Sequence, residues 1–344
     1  MTERKIWEEL SLFESHDYVG KWYSDRHGRV LNAGRIRELA SCFAQGREYF
    51  ASATGSATSV RPLLLYYGVL SLSRGVILLR DRNKSESSLK PSHGLEAIDW
   101  QGTLASGIGN VLDLRIRATN GTFGELVAAA GNVQLTGWWS GPTLTSGTYH
   151  AQLPPPRFVN DKSEITLDGL ASRDHRFLGL YQRATGKLNR VHLAEIVADH
   201  TGIEVSVFAF ANAAPKATVE TRFGWPSGTV VQDRTSARRL PIANYYVRLP
   251  GTDLNALKTL LPASHHDGGD GTYILEDFPN GDRLSELLRT FLLSYFLGML
   301  VRYFPSKWIA LLRNEKGDAA QPVLIAAVNA IEKDFPRLVA QAIA

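Results

Sequence analysis

The chain has 344 residues, a formal net charge of +4 and a single cysteine, Cys42. Hydrophobic residues make up 44% and charged residues 21%, which is typical of a globular protein and excludes a largely disordered chain. One cysteine excludes an internal disulfide framework. Met1–Leu10 lacks the apolar stretch of a signal peptide, so we expect a reducing, cytoplasmic location. The mildly positive charge permits an acidic partner such as nucleic acid without requiring one.

Helical spacing of apolar residues dominates the first hundred residues. It predicts helices over Lys5–Phe13, Gly34–Ala53 and Pro62–Arg80. The polar and aromatic segment Tyr18–Leu31 is interpreted as an ordered loop. Cys42 falls inside a predicted helix without an obvious activating cation, and we interpret it as an inert core residue.

The predicted helix Pro62–Arg80 carries small residues at three- and four-residue spacing, namely Gly68, Ser71 and Gly75. Small side chains reduce the distance at which another helix can pack. We expect this stripe to face the second strongly apolar helix, near the end of the chain.

The middle of the chain mixes strand and helix patterns. Alternation of polar and apolar residues predicts a strand over Val111–Arg117, and helical spacing predicts helices over Leu167–Arg183 and Leu188–Thr201. Composition and spacing also predict a short helix over Phe123–Ala130. Further strands are expected, from their β-branched and aromatic residues, at Val133–Trp139, Gly147–Leu153, Ile203–Phe210, Ala217–Phe223, Ala243–Leu249 and Tyr273–Phe278.

The most apolar segment is Arg283–Arg313, around which the rest of the chain is organised. Its uninterrupted apolar core, Thr290–Val301, is shorter than the ~20 residues that span a bilayer, so we expect a buried core helix and no membrane contact. Pro305 ends this helix near Tyr303 and a second short helix follows. The final segment, Pro322–Ile343, is predicted to be an amphipathic helix interrupted at Pro336.

The order of helices, mixed strands and helices predicts an α+β fold. The helices at the two ends form the main core, and a segregated, mostly antiparallel β region lies between them. We divide the chain into a helical part at 1–100, a mixed middle region at 101–280 and C-terminal helices at 281–344. The last part is expected to pack back on the first, as one compact unit.

Three segments carry a resemblance to a known family. They are REYFASATGSATSVRPLLLYY at 47–67, Ser92-His93-Gly94-Leu95 after a charged loop, and 292–312 with its ending RYFPSKWIALL. In sequence, order and spacing they resemble the YaaC-like proteins of bacteria. The resemblance implies a cytoplasmic bacterial protein, and relatives inside multi-gene antiphage cassettes would imply a part in defence. It transfers no catalytic residues.

His93 is the candidate catalytic residue, because it precedes a glycine and can act as acid, base or ligand near neutral pH. The alternative is a turn histidine that hydrogen-bonds the helical core. A paired-helix nuclease of the HEPN type needs an arginine, then four to six residues, then a histidine. No histidine in the sequence has that spacing.

Two further groups of residues suggest binding sites. The first is an arginine cluster that can contact phosphate or nucleic acid. The alternative is an exposed, solvated loop. The members of the cluster are Arg234, Arg238 and Arg239, extended by Arg115 and Arg117.

The second is a loop with metal-ligand residue types, which contains His265, His266, Asp267 and Asp270. Its spacing matches no defined metal site, and the alternative is a glycine turn. His192, Glu195 and Asp199 lie on one face of a predicted helix, which is either a metal-binding face or a solvent face.

The sequence contains no Walker motif, dinucleotide fingerprint, serine elbow or zinc-finger spacing. We therefore expect a non-enzymatic structural or regulatory subunit without a cofactor, which binds a protein partner or another copy of itself. The rival hypothesis is an enzyme or nucleotide- or nucleic-acid-binding protein. It would act on phosphate-bearing substrates through His93 and the arginine cluster.

Overall fold

The structure is a computed structural model. It describes residues 2–140, 145–199, 202–208, 216–223, 225, 227–229, 231–233, 244–249, 264–266, 272–315 and 317–344. The fold is α+β, with helices from both ends of the chain forming the main core and antiparallel sheets from the middle.

Four helices form the N-terminal part: α1 (Glu3–Ser11), α2 (His16–His27), α3 (Ala33–Thr54) and α4 (Arg61–Arg80). The expected loop at Tyr18–Leu31 is wrong, because α2 covers most of it. The Ser15 side chain accepts a hydrogen bond from the N–H of Tyr18 at 3.4 Å, and Gly28 ends the helix in a left-handed conformation. Asn32 caps α3 in the same way, with its side chain 2.9 Å from the N–H of Arg35.

The small residues of α4 face α3, and the expectation that they face the C-terminal apolar helix is wrong. A Cβ on Gly68 would lie 2.6 Å from the Phe50 ring, and one on Gly75 would lie 2.8 Å from the Phe43 ring. Because α3 and α4 are consecutive in the chain, they form a closely packed antiparallel pair. The glycine stripe therefore identifies close packing correctly and its partner incorrectly.

In the described structure, the middle and C-terminal parts contain further helices: α5 (Trp100–Ala105), α6 (Thr122–Ala130), α7 (Leu167–Ala171), α8 (Leu180–Thr185), α9 (Lys216–Phe223), α10 (Glu286–Tyr303), α11 (Pro305–Leu312) and α12 (Gln321–Ile343). Every residue of α10 from Glu286 to Val301 is buried, and α10 and α12 both pack against α4. The meeting of the two apolar helices is therefore confirmed.

In the part of the chain that the structure describes, membrane-like composition occurs in α4 and in the pair α10 and α11. Among the described residues, α4 is long and apolar enough to span a bilayer, yet 72% of its most apolar window is buried. The pair α10 and α11 passes the same test together but bends by 105° at Phe304 and Pro305. The burial of α4 and α10 is typical of the core helices of a protein.

Strands from the middle of the chain form two sheets: β1 (His93–Ile98), β2 (Arg115–Gly121), β3 (Val133–Ser140), β4 (Thr145–Gln152), β5 (Glu164–Thr166), β6 (Val191–Asp199), β7 (Gly202–Phe208), β8 (Val231–Asp233), β9 (Asn244–Leu249), β10 (Ser264–His266) and β11 (Thr272–Leu275). The small sheet has the order β1-β2-β5 and is antiparallel. The larger one has the order β10-β11-β6-β7-β9-β8, and the hairpin β3–β4 joins it through a parallel contact between β3 and β6.

Several local expectations for the middle of the chain are wrong. The predicted helix Leu188–Thr201 is strand β6, and the predicted strand Ala217–Phe223 is helix α9. The predicted strand Val111–Arg117 begins as a 3₁₀ helix and becomes β2 only at Arg115. Short helices and turns replace the single helix predicted over Leu167–Arg183. At the C-terminal end, α12 continues through Pro336 without interruption.

Hydrogen bonds from β3 hold the start of α10. The side chain of Asn132, just before β3, accepts from the N–H of Ser285 at 2.8 Å, and Gln134 accepts from the N–H of Glu286 at 2.8 Å. These two amide oxygens satisfy backbone donors that have no partner within the helix. The larger sheet and the helical core are thereby joined at one point.

A buried ion network lies at the same end of the core. Arg176 contacts Asp174 at 2.5 Å, and it also reaches Asp334 of α12 at 3.1 Å and Glu286 of α10 at 3.9 Å. Burial opposes ionisation of Asp174, but the charge and hydrogen bonds of Arg176 outweigh it and lower the pKa of that carboxyl to about 2. The network therefore depends on charged partners in a dry environment.

Candidate ligand-binding site

His93 lies at the first position of β1, where the small sheet meets the helical core. The following residue, Gly94, has a φ of +79°, and a Cβ there would lie 2.8 Å from the backbone nitrogen of Phe123. The close approach of the neighbouring backbone thus requires glycine at this position. The tight crossing fixes the position from which the imidazole projects.

The imidazole of His93 is held by a tyrosine from α4. Tyr66 Oη and His93 Nδ1 are 2.6 Å apart, and their rings are 5.4 Å apart between centroids. Tyr66 is fully buried, and its Cβ fits against Gly298 of α10, where a methyl group would lie 2.6 Å away. The close helix contact therefore sets the direction of the Tyr66 hydroxyl.

The protonation states of this pair follow from burial. Burial raises the pKa of Tyr66, so the phenol keeps its proton. Burial lowers the pKa of His93, and the nearby charge of Arg302 lowers it further, so the imidazole is neutral at pH 7. Within the described ranges, His93 Nδ1 is the hydrogen-bond partner of the buried Tyr66 hydroxyl, so the phenol donates to Nδ1 and the imidazole proton lies on Nε2. Among the described residues, Nε2 has no hydrogen-bond partner.

Two side chains of α10, Tyr295 and Arg302, lie near the half-buried His93. Tyr295 lies edge-on to the imidazole at 6.0 Å, and its hydroxyl donates to the carbonyl of Leu95 at 3.1 Å. Burial raises the pKa of Tyr295 to about 12, so it too remains neutral. Arg302, near the end of α10, is exposed and donates a hydrogen bond to the hydroxyl of Tyr67 at 3.1 Å. The site thus combines a neutral N–H donor with a guanidinium cation.

The arginines proposed from the sequence do not join this site in the described structure. Arg115 pairs with Glu164 at 2.9 Å, and Arg117 pairs with Glu164 at 2.8 Å and Glu96 at 3.4 Å. Their guanidinium groups are therefore occupied by carboxylates on the small sheet. The rest of the cluster, Arg234, Arg238 and Arg239, lies outside the described residues.

The proposed metal loop falls mostly outside the described residues as well. The backbone of His265 and His266 forms β10, and Asp267 and Asp270 are not described. In the described part of the chain, no group of three or more acidic, histidine or cysteine residues has metal-binding geometry.

A second polar cluster, which the sequence did not indicate, lies on the larger sheet. Glu276, just after β11, accepts from His192 Nε2 at 3.0 Å and from Arg190 at 2.8 Å. Burial opposes the charge of Glu276, but these hydrogen bonds outweigh it and lower the pKa of the carboxyl. His192 is buried while Glu195 is exposed, since residues three apart on a strand point to opposite faces. The predicted helix face with both residues is therefore wrong. Glu276, His192 and Arg190 instead form a hydrogen-bonded cluster that stabilises the fold.

The architecture defines an α+β protein whose core joins helices from both ends of the chain, with a tyrosine-held histidine at their junction with a small sheet. The family model described as YaaC-like Protein matches residues 11–343, and the chain therefore belongs to that family. No curated protein matches the chain. No solved structure matches it either.

Proposed function

We propose that the protein binds a phosphate-bearing ligand at His93 and Arg302. The observation that carries this proposal is that adjacent tyrosines of α4, Tyr66 and Tyr67, hold the imidazole of His93 and the exposed guanidinium of Arg302. Both groups donate hydrogen bonds, and Arg302 adds a positive charge. Oxygen-rich anions are the complementary ligands, because guanidinium groups bind phosphate through charge-assisted hydrogen bonds.

The geometry favours binding over proton abstraction by His93. A general base needs a lone pair directed at its substrate. Here the Tyr66 hydroxyl occupies Nδ1, and Nε2 presents a proton instead. The imidazole then acts as a donor toward a ligand oxygen, and the high pKa of Tyr66 maintains that arrangement. We therefore assign His93 a binding role. A role as a subunit that binds a protein partner or a second copy of the chain stays a prediction. The same holds for a cytoplasmic location and a part in antiphage defence.

Isothermal titration with inorganic pyrophosphate tests the proposed site. We expect binding by the wild-type protein, and affinity that falls as salt increases, because the contact is ionic. Arg302→Gln should weaken binding about 10- to 100-fold, since a hydrogen bond to a charged group contributes about 1.5–3 kcal/mol. His93→Leu should weaken it by a smaller factor.

The matched control is Arg4→Gln in α1. Arg4 is exposed and pairs with Glu8 on its own helix, so it carries the same charge without lying at the site. Equal pyrophosphate affinity for the wild type and Arg302→Gln, or affinity that is independent of salt, would contradict the proposal. The thermal unfolding midpoint of each variant is measured as well, and a midpoint equal to that of the wild type excludes unfolding as the reason for lost binding.

A further inference from the structure

A groove of about 410 Å³ lies between the β1–α5 connection and the end of α10. Its volume falls in the range of roughly 300–1,000 Å³ that small-molecule sites occupy. Half of its lining residues are aromatic, namely Trp100, Tyr295, Tyr303 and Phe304, and two are polar, Asp99 and Gln101. By contrast, the cavity beside Glu286 holds only about 50 Å³, which is little more than a water molecule needs.

The wall formed by Trp100 is rigid. Its indole N–H donates to the carbonyl of Arg115 at 2.7 Å, and its ring stacks on Phe296 at 5.6 Å with an angle of 3° between the planes. Tyr303 contributes a ring that is 59% exposed. Trp100 is only 3% exposed and supports the groove from beneath, so the accessible ring of Tyr303 is the surface on which a flat, aromatic ligand group would stack.

Tyr295 and Arg302 connect the groove to the phosphate site. Tyr295 lines the groove and is also the ring 6.0 Å from His93. Arg302 lies over the Tyr303 ring at 5.1 Å, so the cation of one site adjoins the aromatic surface of the other. A single ligand that carries both a phosphate and a flat ring would use both parts.

We propose that the phosphate-bearing ligand is a nucleotide, with its base in the groove and its phosphates at His93 and Arg302. This inference rests on the proposed phosphate site. Gln101 is exposed at the groove and offers both an amide donor and a carbonyl acceptor to the edge of a base. Asp99 accepts from the N–H of Gly102 at 3.1 Å and keeps further acceptor capacity on its exposed carboxylate.

The test compares pyrophosphate, adenosine and the diphosphates of the four ribonucleosides by titration calorimetry. At least one nucleoside diphosphate should bind about tenfold more tightly than pyrophosphate, through stacking of its base. Tyr303→Ala should remove about that advantage, so that the variant binds the nucleoside diphosphate and pyrophosphate with affinities within twofold of each other. Val30→Ala, at an exposed apolar residue outside the site, should change neither affinity.

The outcomes separate this inference from the function on which it rests. Equal affinity for every nucleoside diphosphate and for pyrophosphate would overturn the nucleotide assignment while the phosphate site stands. Adenosine binding as tightly as its diphosphate would overturn the phosphate site, and with it the assignment of a nucleotide. Absence of binding by all of these compounds would overturn both. A tenfold preference that Tyr303→Ala leaves intact would overturn the placement of the base in the groove.

Discussion

The contact between Gly298 and Tyr66 makes a specific prediction for the substitution Gly298→Ala. A methyl group at position 298 would lie 2.6 Å from Tyr66 Cβ and 2.8 Å from its Cγ. Carbon atoms in ordinary contact are about 3.5–4.0 Å apart, so α4 and α10 must separate by about 1 Å. Overpacking of this kind costs about 1–3 kcal/mol. Since Tyr66 Cβ is tied to the helix backbone and cannot rotate away, we take the upper part of that range.

Alanine also improves helix formation by about 1 kcal/mol relative to glycine, which offsets part of the cost. The net expectation for Gly298→Ala is a loss of about 2 kcal/mol in the free energy of unfolding. The control is Gly124→Ala in α6, where the nearest atom, Val159 Cγ1, would be 3.6 Å from the new methyl group. That variant should be neutral or up to about 1 kcal/mol more stable.

Urea denaturation followed by far-UV circular dichroism measures both variants. Gly298→Ala should lower the urea midpoint at an unchanged slope, because the surface exposed on unfolding is the same. It should also weaken pyrophosphate binding, since Tyr66 carries the hydroxyl that holds His93. If Gly298→Ala were as stable as the Gly124→Ala control, the close approach of the two helices would be refuted.

Three further predictions concern other parts of the structure. Asp174→Asn should lower the free energy of unfolding by about 3–5 kcal/mol at pH 7, because it leaves buried arginine charge unbalanced. Since the pKa of Asp174 is lowered to about 2, its stabilisation is present above about pH 4 and lost toward pH 2. The free energy of unfolding of the variant should therefore depend less on pH over that window. Burial raises the pKa of the Cys42 thiol to about 12, so its alkylation by iodoacetamide at pH 8 should be at least about 100-fold slower than that of a small thiol, and comparable rates would contradict this. Gly94→Ala should lower the unfolding midpoint and weaken pyrophosphate binding at least about tenfold, whereas Gly107→Ala, at a position with a positive φ but open space, should affect stability alone.

The helical core could be predicted from the sequence because its periodicity is local. The apolar spacing in α4 and α10 is visible in a window of a few turns, and their burial follows from it. The partner of a helix face is a different question, since a glycine stripe shows only that something approaches closely. The stripe of α4 packs on α3, its neighbour in the chain, while Gly298 provides the corresponding space against Tyr66.

The larger sheet was harder to predict because tertiary pairing outweighs local preference there. Residues 191–199 contain good helix formers such as Leu193 and Glu195, but β7 on one side and β11 on the other supply backbone partners that make them a strand. The reverse applies to α9, whose β-branched residues suggested a strand although Val219 and Phe223 are buried on one helical face.

The candidate site could be predicted only in part. His93 was recognisable from its own neighbours, but the residues that define its chemistry, Tyr66 and Arg302, come from helices at opposite ends of the chain. No spacing rule connects them. Glu276 was missed for the same reason, because its partner His192 lies on a different strand.

The packing of α10 against α4 has a consequence for how the protein is made. About 206 residues separate Arg80 from Glu286 (286 − 80), so synthesis at about 5–20 residues per second leaves α4 without this partner for about 10–40 s. During that interval the nascent chain exposes the apolar side of α4 that α10 later covers, and a ribosome-associated chaperone would find a binding site there. Completion of the hydrophobic interior therefore waits for the synthesis of α10, and a message truncated before α10 would yield an aggregation-prone product.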